Sequence, residues 1–284
     1  VTREEILAVV VSFNGVATLR QTVEALRPQV GEVCIVDNGS DAATAELLGQ
    51  LEALPGVSVI RLGKNFGVAH ALNVGTRRAR ETGRTWLLTM DQDSVVDAGM
   101  IAAFQAGLAA EPGMVSLAPA IAGAAAAPDG PVEVVGYAIT SGNLVRVSVV
   151  EEVGGYDESF FIDSVDFDFS LRVRRAGYRI RRVPSAVMHH QLGEQRDVPS
   201  LLRRVYSEHS PRRRYYISRN FLYMAQRHLG RFPLFICKLT LAHLAQLAVV
   251  GFLDPRPLAS YTATLRGIGD FLRQRGGPAP EGVR

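Results

Sequence analysis

The sequence predicts an α/β fold: a mostly parallel sheet flanked by helices, followed by a helical, basic C-terminal segment. Three observations predict it. Short apolar runs alternate with helix-patterned stretches over the first 120 residues, as in successive βαβ units. These runs lack a polar face, as expected of parallel strands buried from both sides. The charge then changes sign along the chain: residues 1–200 hold 17 Lys and Arg against 24 Asp and Glu, whereas residues 201–284 hold 14 against 4. The 284 residues are 47% hydrophobic and 21% charged, enough for a large core and unlike a disordered tail, a collagen-like rod or a small stapled scaffold. Cys34 and Cys237 are far apart, which argues against a disulfide framework and fits a reducing compartment. With no C-x-x-C pair or Cys/His cluster, no structural zinc site is expected.

Taken in order, Ile6–Phe13 reads as a buried strand, too short for a helix. No secretory signal is expected here, because Glu4 and Glu5 stand where a leader needs positive charge. After the Asn14-Gly15 turn, Ala17–Leu26 has helical spacing through Leu19, Val23 and Leu26, and Pro28 ends it. Val33–Val36 is the second strand; Ala42–Leu54 is a helix capped by Ser40 or Asp41. The Pro55-Gly56 turn leads into the strand Val57–Leu62, the helix Gly67–Glu81 and the strand Trp86–Met90. Beyond residue 97 the order loosens. It reads as a helix Ala98–Ala110, a strand Met114–Pro119, a low-complexity loop Ala122–Pro131, and strands Val132–Ile139 and Leu144–Val147 around Ser141-Gly142-Asn143. A helix Val165–Ala176 ends at Gly177, and short strands Ile180–Val183 and Val187–His190 follow. From about Leu201 the chain is helical and basic. Within it Phe232–Leu253 is about as long as a membrane span, but Pro233, Lys238, His243 and Gln246 interrupt it. An apolar helix packed in the core or lying at an interface is expected there.

In open sheets of this kind, ligands bind beyond the carboxyl ends of the strands. Here those ends carry Ser12-Phe13-Asn14, Asp37-Asn38-Gly39-Ser40, Gly63-Lys64-Asn65-Phe66-Gly67 and Asp91-Gln92-Asp93-Ser94. Asp91 and Asp93, two residues apart, can reach one hard cation such as Mg²⁺ or Mn²⁺ holding a substrate diphosphate. A bare D-x-D describes a cap or a solvated turn equally well. Asp37 can accept the N3–H of a uracil or thymine ring, or cap the next helix. The Gly63–Gly67 loop can approach a phosphate, although it is neither a G-x-G-x-x-G nor a Walker sequence. In Phe160–Arg172 three acids, Asp163, Asp166 and Asp168, stand among aromatics, where desolvation lifts a carboxyl toward a working base. Asp168 and Arg172 are i,i+4 partners, which leaves Asp166 for chemistry; alternatively all three acids cap or solvate a helix start. His189-His190 closes a strand near these acids and offers a metal ligand or a structural histidine.

Read together, these residues resemble the inverting family 2 glycosyltransferases, rhamnosyltransferase branch, from Val9 to about Gly193. Val10–Asn14, Val36-Asp37-Asn38-Gly39-Ser40 and Asn65-x-Gly67…Asn73-x-Gly75 match the donor-nucleotide half. Asp91-Gln92-Asp93-Ser94 looks like the metal motif of that branch. Gly154-Gly155-Tyr156-Asp157-Glu158-x-Phe160-Phe161-Ile162-Asp163…Asp166-x-Asp168…Leu171-Arg172…Gly177-Tyr178 resembles its acceptor block, closed by His190-x-Leu192-Gly193. Arg213-Arg214-Tyr215-Tyr216-Ile217-x-Arg219-Asn220 is similar to the segment after the core. One departure is Val165, where many members carry Glu; it keeps Asp168 and Asp163 as alternatives to Asp166 for the base.

The resemblance implies a GT-A fold with a Rossmann-like sheet. It places a catalytic domain over 1–200, with a nucleotide-sugar half (1–96) and an acceptor half (97–200), and a basic helical segment over 201–284. It implies a single displacement with Asp166 as base. Ser12, Asn14, Asp37, Asn38, Asn65, Gly67, Asp91 and Arg219 would bind the nucleotide sugar, and Asp93, His190 and Asp91 would hold Mg²⁺ or Mn²⁺. The expected donor is dTDP-β-L-rhamnose, or another NDP-sugar such as a UDP-hexose. The expected acceptor is a saccharide or a lipid-linked, amphiphilic molecule of cell-surface glycan or glycolipid synthesis. The rival class is a nucleotidyltransferase or a non-catalytic nucleotide-sugar-binding protein, but Val10–Gly15 lacks the Gly-rich signature of the former. A cytoplasmic enzyme is expected, peripheral to the inner face of a membrane, its anionic surface met by Arg203, Arg204, Arg212 and Arg213. No nucleic-acid partner is expected.

Overall fold

The computed structural model describes residues 1–123, 130–190 and 208–283. Leu192, Gly193, Arg203, Arg204 and most of the loop expected over Ala122–Pro131 lie outside the described residues. The described residues form two compact units: 1–158 with 165–190, and 159–164 with 208–283. This division differs from a single cut at residue 200, because six residues of the expected acceptor block go with the C-terminal unit.

The first unit is built on one sheet. Its strands are β1 (Ile6–Ser12), β2 (Glu32–Asp37), β3 (Val57–Arg61), β4 (Trp86–Asp91), β5 (Ser94–Val96), β6 (Ser116–Ile121), β7 (Glu133–Val135), β8 (Asn143–Arg146) and β9 (Ile180–His190). The order is β3-β2-β1-β4-β8-β6-β9-β5, with β7 also on β9. The first four strands are parallel, as their all-apolar runs require. Antiparallel pairing enters where β8 joins β4. The helices are α1 (Leu19–Leu26), α2 (Ala42–Glu52), α3 (Val68–Glu81), α4 (Met100–Ala110), α5 (Val147–Glu152) and α6 (Val165–Arg175).

All seven residues of β1 are buried, and Leu19, Val23 and Leu26 of α1 join the same core as Leu47, Leu48 and Leu51 of α2. On α3, Gly75 lies against β1 so closely that a Cβ would overlap the Val9 side chain. The two strands expected at Ile180–Val183 and Val187–His190 are one: β9 runs through Pro184, and its register against β6 shifts between Pro119 and Ala120. The missing N–H of Pro184 is absorbed at that irregularity. The strand expected at Val132–Ile139 shrinks to β7, and the short β5 and α5 are additional elements.

In the second unit α7 (Pro211–His228), α8 (Pro233–Leu253) and α9 (Pro257–Leu272) follow one another. Each begins with a proline in its first turn, where a missing N–H costs nothing. Gly267 of α9 lies so close to the Tyr215 carbonyl of α7 that a Cβ would collide with it. The Tyr215 hydroxyl donates to Asp270 at 2.8 Å. α8 is apolar all round, yet Leu234 and Phe252 are 86% and 90% exposed, and only Ile236 and Val250 are buried.

Candidate active site

The carboxyl ends of β1, β2 and β4 meet because Ser12 pairs with Asp37 and Val11 with Asp91. The turns beyond them are stitched together by asparagines. The Asn14 N–H donates to Ser40 Oγ at 3.0 Å, and Asn14 Oδ1 accepts from the Asp41 N–H at 2.9 Å. The Asn38 side-chain amide donates to the Gly67 carbonyl at 3.1 Å, and its oxygen accepts from the Phe66 N–H at 3.0 Å. Asn65 Oδ1 accepts from the Gly67 N–H at 2.9 Å. Gly39 sits at φ +76° with the Lys64 backbone in the space a Cβ would need, so the turn requires glycine. Asp41 caps α2 through the Thr44 N–H. Asp37 therefore does not cap that helix; it is nearly buried and accepts from the N–H and hydroxyl of Ser40. Ser12 Oγ is buried and finds no hydrogen-bond partner among the described residues.

The D-x-D turn joins β4 to β5, and β5 runs antiparallel to β9 with Ser94 opposite His190. That pairing gathers Asp91, Asp93 and His190, whose ligand atoms lie within 4.8 Å of one another. Asp93 Oδ1 is buried with no hydrogen-bond partner among the described residues. A buried carboxylate oxygen left this way is costly unless a cation completes it. Two carboxylates and an imidazole are a donor set that a divalent cation accepts. Gln92, between the two acids, has a different task that the sequence did not signal. Its Oε1 accepts from the Phe13 N–H at 2.8 Å, and its Nε2 donates to the Phe13 carbonyl at 3.0 Å. It ties the D-x-D turn to the end of β1, and Gly15 leaves room for its side chain.

Residues 7–140 match the family model described as Glycosyl transferase family 2, and residues 124–272 match the one described as Glycosyl transferase family group 2. The chain belongs to glycosyl transferase family 2. It is 28% identical over 264 residues to dTDP-rhamnosyl transferase RfbF of Shigella flexneri, covering 79% of this chain and 81% of that protein. Its fold is similar to that of S. aureus TarS 1–349 in complex with UDP-GlcNAc (TM-score 0.63, 14% identity, 98% of this chain and 82% of that one). It is also similar to GalNAc-T7 with UDP, GalNAc and Mn²⁺ (TM-score 0.56, 17% identity, 65% of this chain); this chain spans 43% of that protein. These are GT-A glycosyltransferases, as expected.

In this glycosyltransferase the three acids of Phe160–Arg172 have separate environments. Asp168 is fully buried and accepts from Arg172 Nε at 2.7 Å. Asp163, in the C-terminal unit, is partly buried beside Arg213 of α7 at 3.2 Å. Burial pushes its carboxyl up from the ordinary range, against the opposing pull of Arg213. Asp166 stands half-buried on the first turn of α6, where its Oδ1 accepts from the Phe167 N–H at 2.9 Å. The Tyr137 ring packs on Phe167 at 4.5 Å, and burial together with the Asp166 charge raises the Tyr137 phenol above its usual range. Tyr137 lay in an expected strand and carried no sequence signal of this role.

Two motif residues of the glycosyltransferase turn out to be braces. Asn73 exchanges two 2.8 Å hydrogen bonds with the Tyr156 backbone and donates to Glu158 at 2.8 Å, fixing the Gly154–Glu158 turn. Arg219, expected at the nucleotide, is fully buried in the C-terminal unit. Its guanidinium reaches Asn220 at 2.9 Å, the Tyr215 hydroxyl at 3.1 Å and the carbonyls of Ser159 and Phe160 at 3.3 and 3.4 Å. These bonds hold the Arg219 guanidinium against the backbone of Ser159 and Phe160.

Proposed function

We propose that this glycosyltransferase moves L-rhamnose from dTDP-β-L-rhamnose, with inversion, onto a hydroxyl of a saccharide or lipid-linked acceptor in cell-surface glycan or glycolipid synthesis. The observation that carries the reading is the 28% identity to dTDP-rhamnosyl transferase RfbF across 79% of the chain. Asp37, at the end of β2, reads the N3–H of the thymine ring. Asn14, Asn38, Asn65 and Gly67 hold the turns around it in shape, and Ser12 lines the same edge. Asp91, Asp93 and His190 hold Mg²⁺ or Mn²⁺. When bound, the cation supplies positive charge against the diphosphate as it leaves. Asp166 takes the proton from the acceptor hydroxyl while that oxygen attacks the anomeric carbon and dTDP departs, giving an α-L-rhamnoside. Asp166 is supported in this role by its place on the first turn of α6, half-buried near the Tyr137–Phe167 ring pair.

The acceptor is met at the inner face of a membrane. This is supported by the exposed apolar surface of α8 and by the basic excess of residues 201–284. Apolar burial combined with attraction to anionic lipid holds a protein at such a surface. Two experiments test the reading. Incubation with dTDP-rhamnose, UDP-hexoses and GDP-mannose in parallel, each with acceptor, should release dTDP alone; release of another nucleotide in its place overturns the donor. Co-sedimentation with anionic vesicles should be salt-sensitive and reduced by neutralising Arg212 and Arg213; no binding at low salt overturns the membrane surface.

A further inference from the structure

His190 and the D-x-D turn are linked by a buried relay of hydroxyls. The antiparallel pairing of β5 with β9 sets Ser94 directly opposite His190. Cross-strand partners project to the same face of a sheet, and Ser94 Oγ lies 2.6 Å from His190 Nδ1. The Ser141 hydroxyl donates to Ser94 Oγ at 2.8 Å, and the Asp91 N–H donates to Ser141 Oγ at 2.9 Å. Ser94 and Ser141 are both completely buried. The loop carrying Ser141 is fixed in turn, because the Thr89 hydroxyl donates to the Thr140 carbonyl and the Gly142 N–H donates to the Thr89 carbonyl. The relay thus starts on the backbone of one acid of the site and ends on the imidazole of His190, almost a hundred residues later in the chain.

We propose that Ser94, backed by Ser141, is a positioning residue for the metal site, holding His190 by Nδ1 so that Nε2 is the ring atom presented to the cation. The proposal rests on Asp91, Asp93 and His190 binding a divalent cation. An imidazole offers two nitrogens, and a cation can take only the one whose lone pair is free. The Ser94 hydroxyl can donate to Nδ1 or accept from it, and a cation at Nε2 selects the arrangement in which Nδ1–H donates to Ser94 Oγ and the lone pair lies on Nε2. Ser94 Oγ has two lone pairs, so it accepts from both Ser141 and Nδ1–H. Fixing the ring before the cation arrives removes the cost of ordering it on binding.

The test is Mn²⁺ affinity of the full chain, read from the free-ion signal in electron paramagnetic resonance, without donor or acceptor. Ser94→Ala should weaken Mn²⁺ binding about 10–100-fold, in the range found when partners of ligating histidines are removed. Ser141→Ala, one hydrogen bond further out, should weaken it less. In a His190→Ala background, Ser94→Ala should cause no further loss. A dissociation constant within twofold of the unsubstituted protein for both serine variants overturns the proposal. So does an equal loss with and without His190, which would make Ser94 merely structural. If Asp93→Ala and His190→Ala bind Mn²⁺ as the unsubstituted protein does, the metal site itself is wrong and this proposal falls with it. The rhamnosyl donor reading survives every one of these results, since it is read from which nucleotide is released.

Discussion

Arg172 Nε donates to Asp168 Oδ2 at 2.7 Å across one turn of α6, and the Asp168 side chain is fully buried. Arg172 also donates to the Val153 carbonyl, so the pair ties α6 to the chain after α5. This bond separates two carboxylates that stand two residues apart. Asp168→Asn should leave the arginine charge uncompensated in a nearly dry site and cost about 3–5 kcal/mol of stability. Asp166→Asn should leave the thermal midpoint within a degree or so while kcat falls roughly 10²–10⁴-fold. Differential scanning fluorimetry beside steady-state kinetics checks both. If the two phenotypes exchange, the base has been assigned to the wrong acid.

Chelation should abolish transfer, and Mg²⁺ or Mn²⁺ should restore it. Asp93→Ala removes a buried oxygen that lacks a partner among the described residues, so the variant should fold with an unchanged or raised midpoint while turnover is lost. Full turnover in excess EDTA would show that the three gathered ligands serve something other than catalysis.

Asn220 supports the residues just ahead of α6. Its amide donates to the carbonyls of Phe160 and Ile162, both at 2.6 Å, and to that of Asp163 at 3.2 Å. Phe161, Asp163 and Ser164 all have φ near +62°, a conformation that side-chain-bearing residues adopt only when held. Asn220→Ala should therefore cost about 1–3 kcal/mol for each carbonyl left buried and unpaired. Limited proteolysis should then cut near Phe161 faster than in the parent. An unchanged cleavage rate there would mean the loop is held by other contacts.

Stability should fall on mild acidification because of His209. Burial, reinforced by the positive charge of Arg213 and Arg214, pulls its imidazole down to about 4. In the unfolded chain the same group protonates near 6.5. Between those values the unfolded state holds more protons than the folded one. The destabilisation from this group therefore begins below about pH 6.5 and is complete below about pH 4. Urea midpoints measured from pH 7 to pH 4.5 should fall, and His209→Gln should flatten that slope. A His209→Gln profile parallel to the parent's would assign the acid sensitivity to other groups.

What was legible in the sequence was what local spacing encodes. The four parallel strands and the helices between them follow from apolar runs and 3.6-residue periodicity, and both survive in the structure with ends shifted by a few residues. The Asp168–Arg172 pair was legible because helix geometry alone makes i and i+4 neighbours. Other relationships became visible only in three dimensions. Whether Asp37 or Asp41 capped α2 stayed open until the Thr44 hydrogen bond was seen. Gln92 was merely the middle of D-x-D until its bonds to Phe13 were placed. The burial of Arg219 against the carbonyls of Ser159 and Phe160 had no counterpart in local spacing. His190 reaches Asp93 through β5, a strand of three residues that is too short to show periodicity. A strand's alternation states which side chains share a face; it carries no record of the distant segment that will pair with it. That choice is made by the burial and hydrogen bonding of the whole sheet at once, and it is the choice that brings Asp91, Asp93 and His190 together.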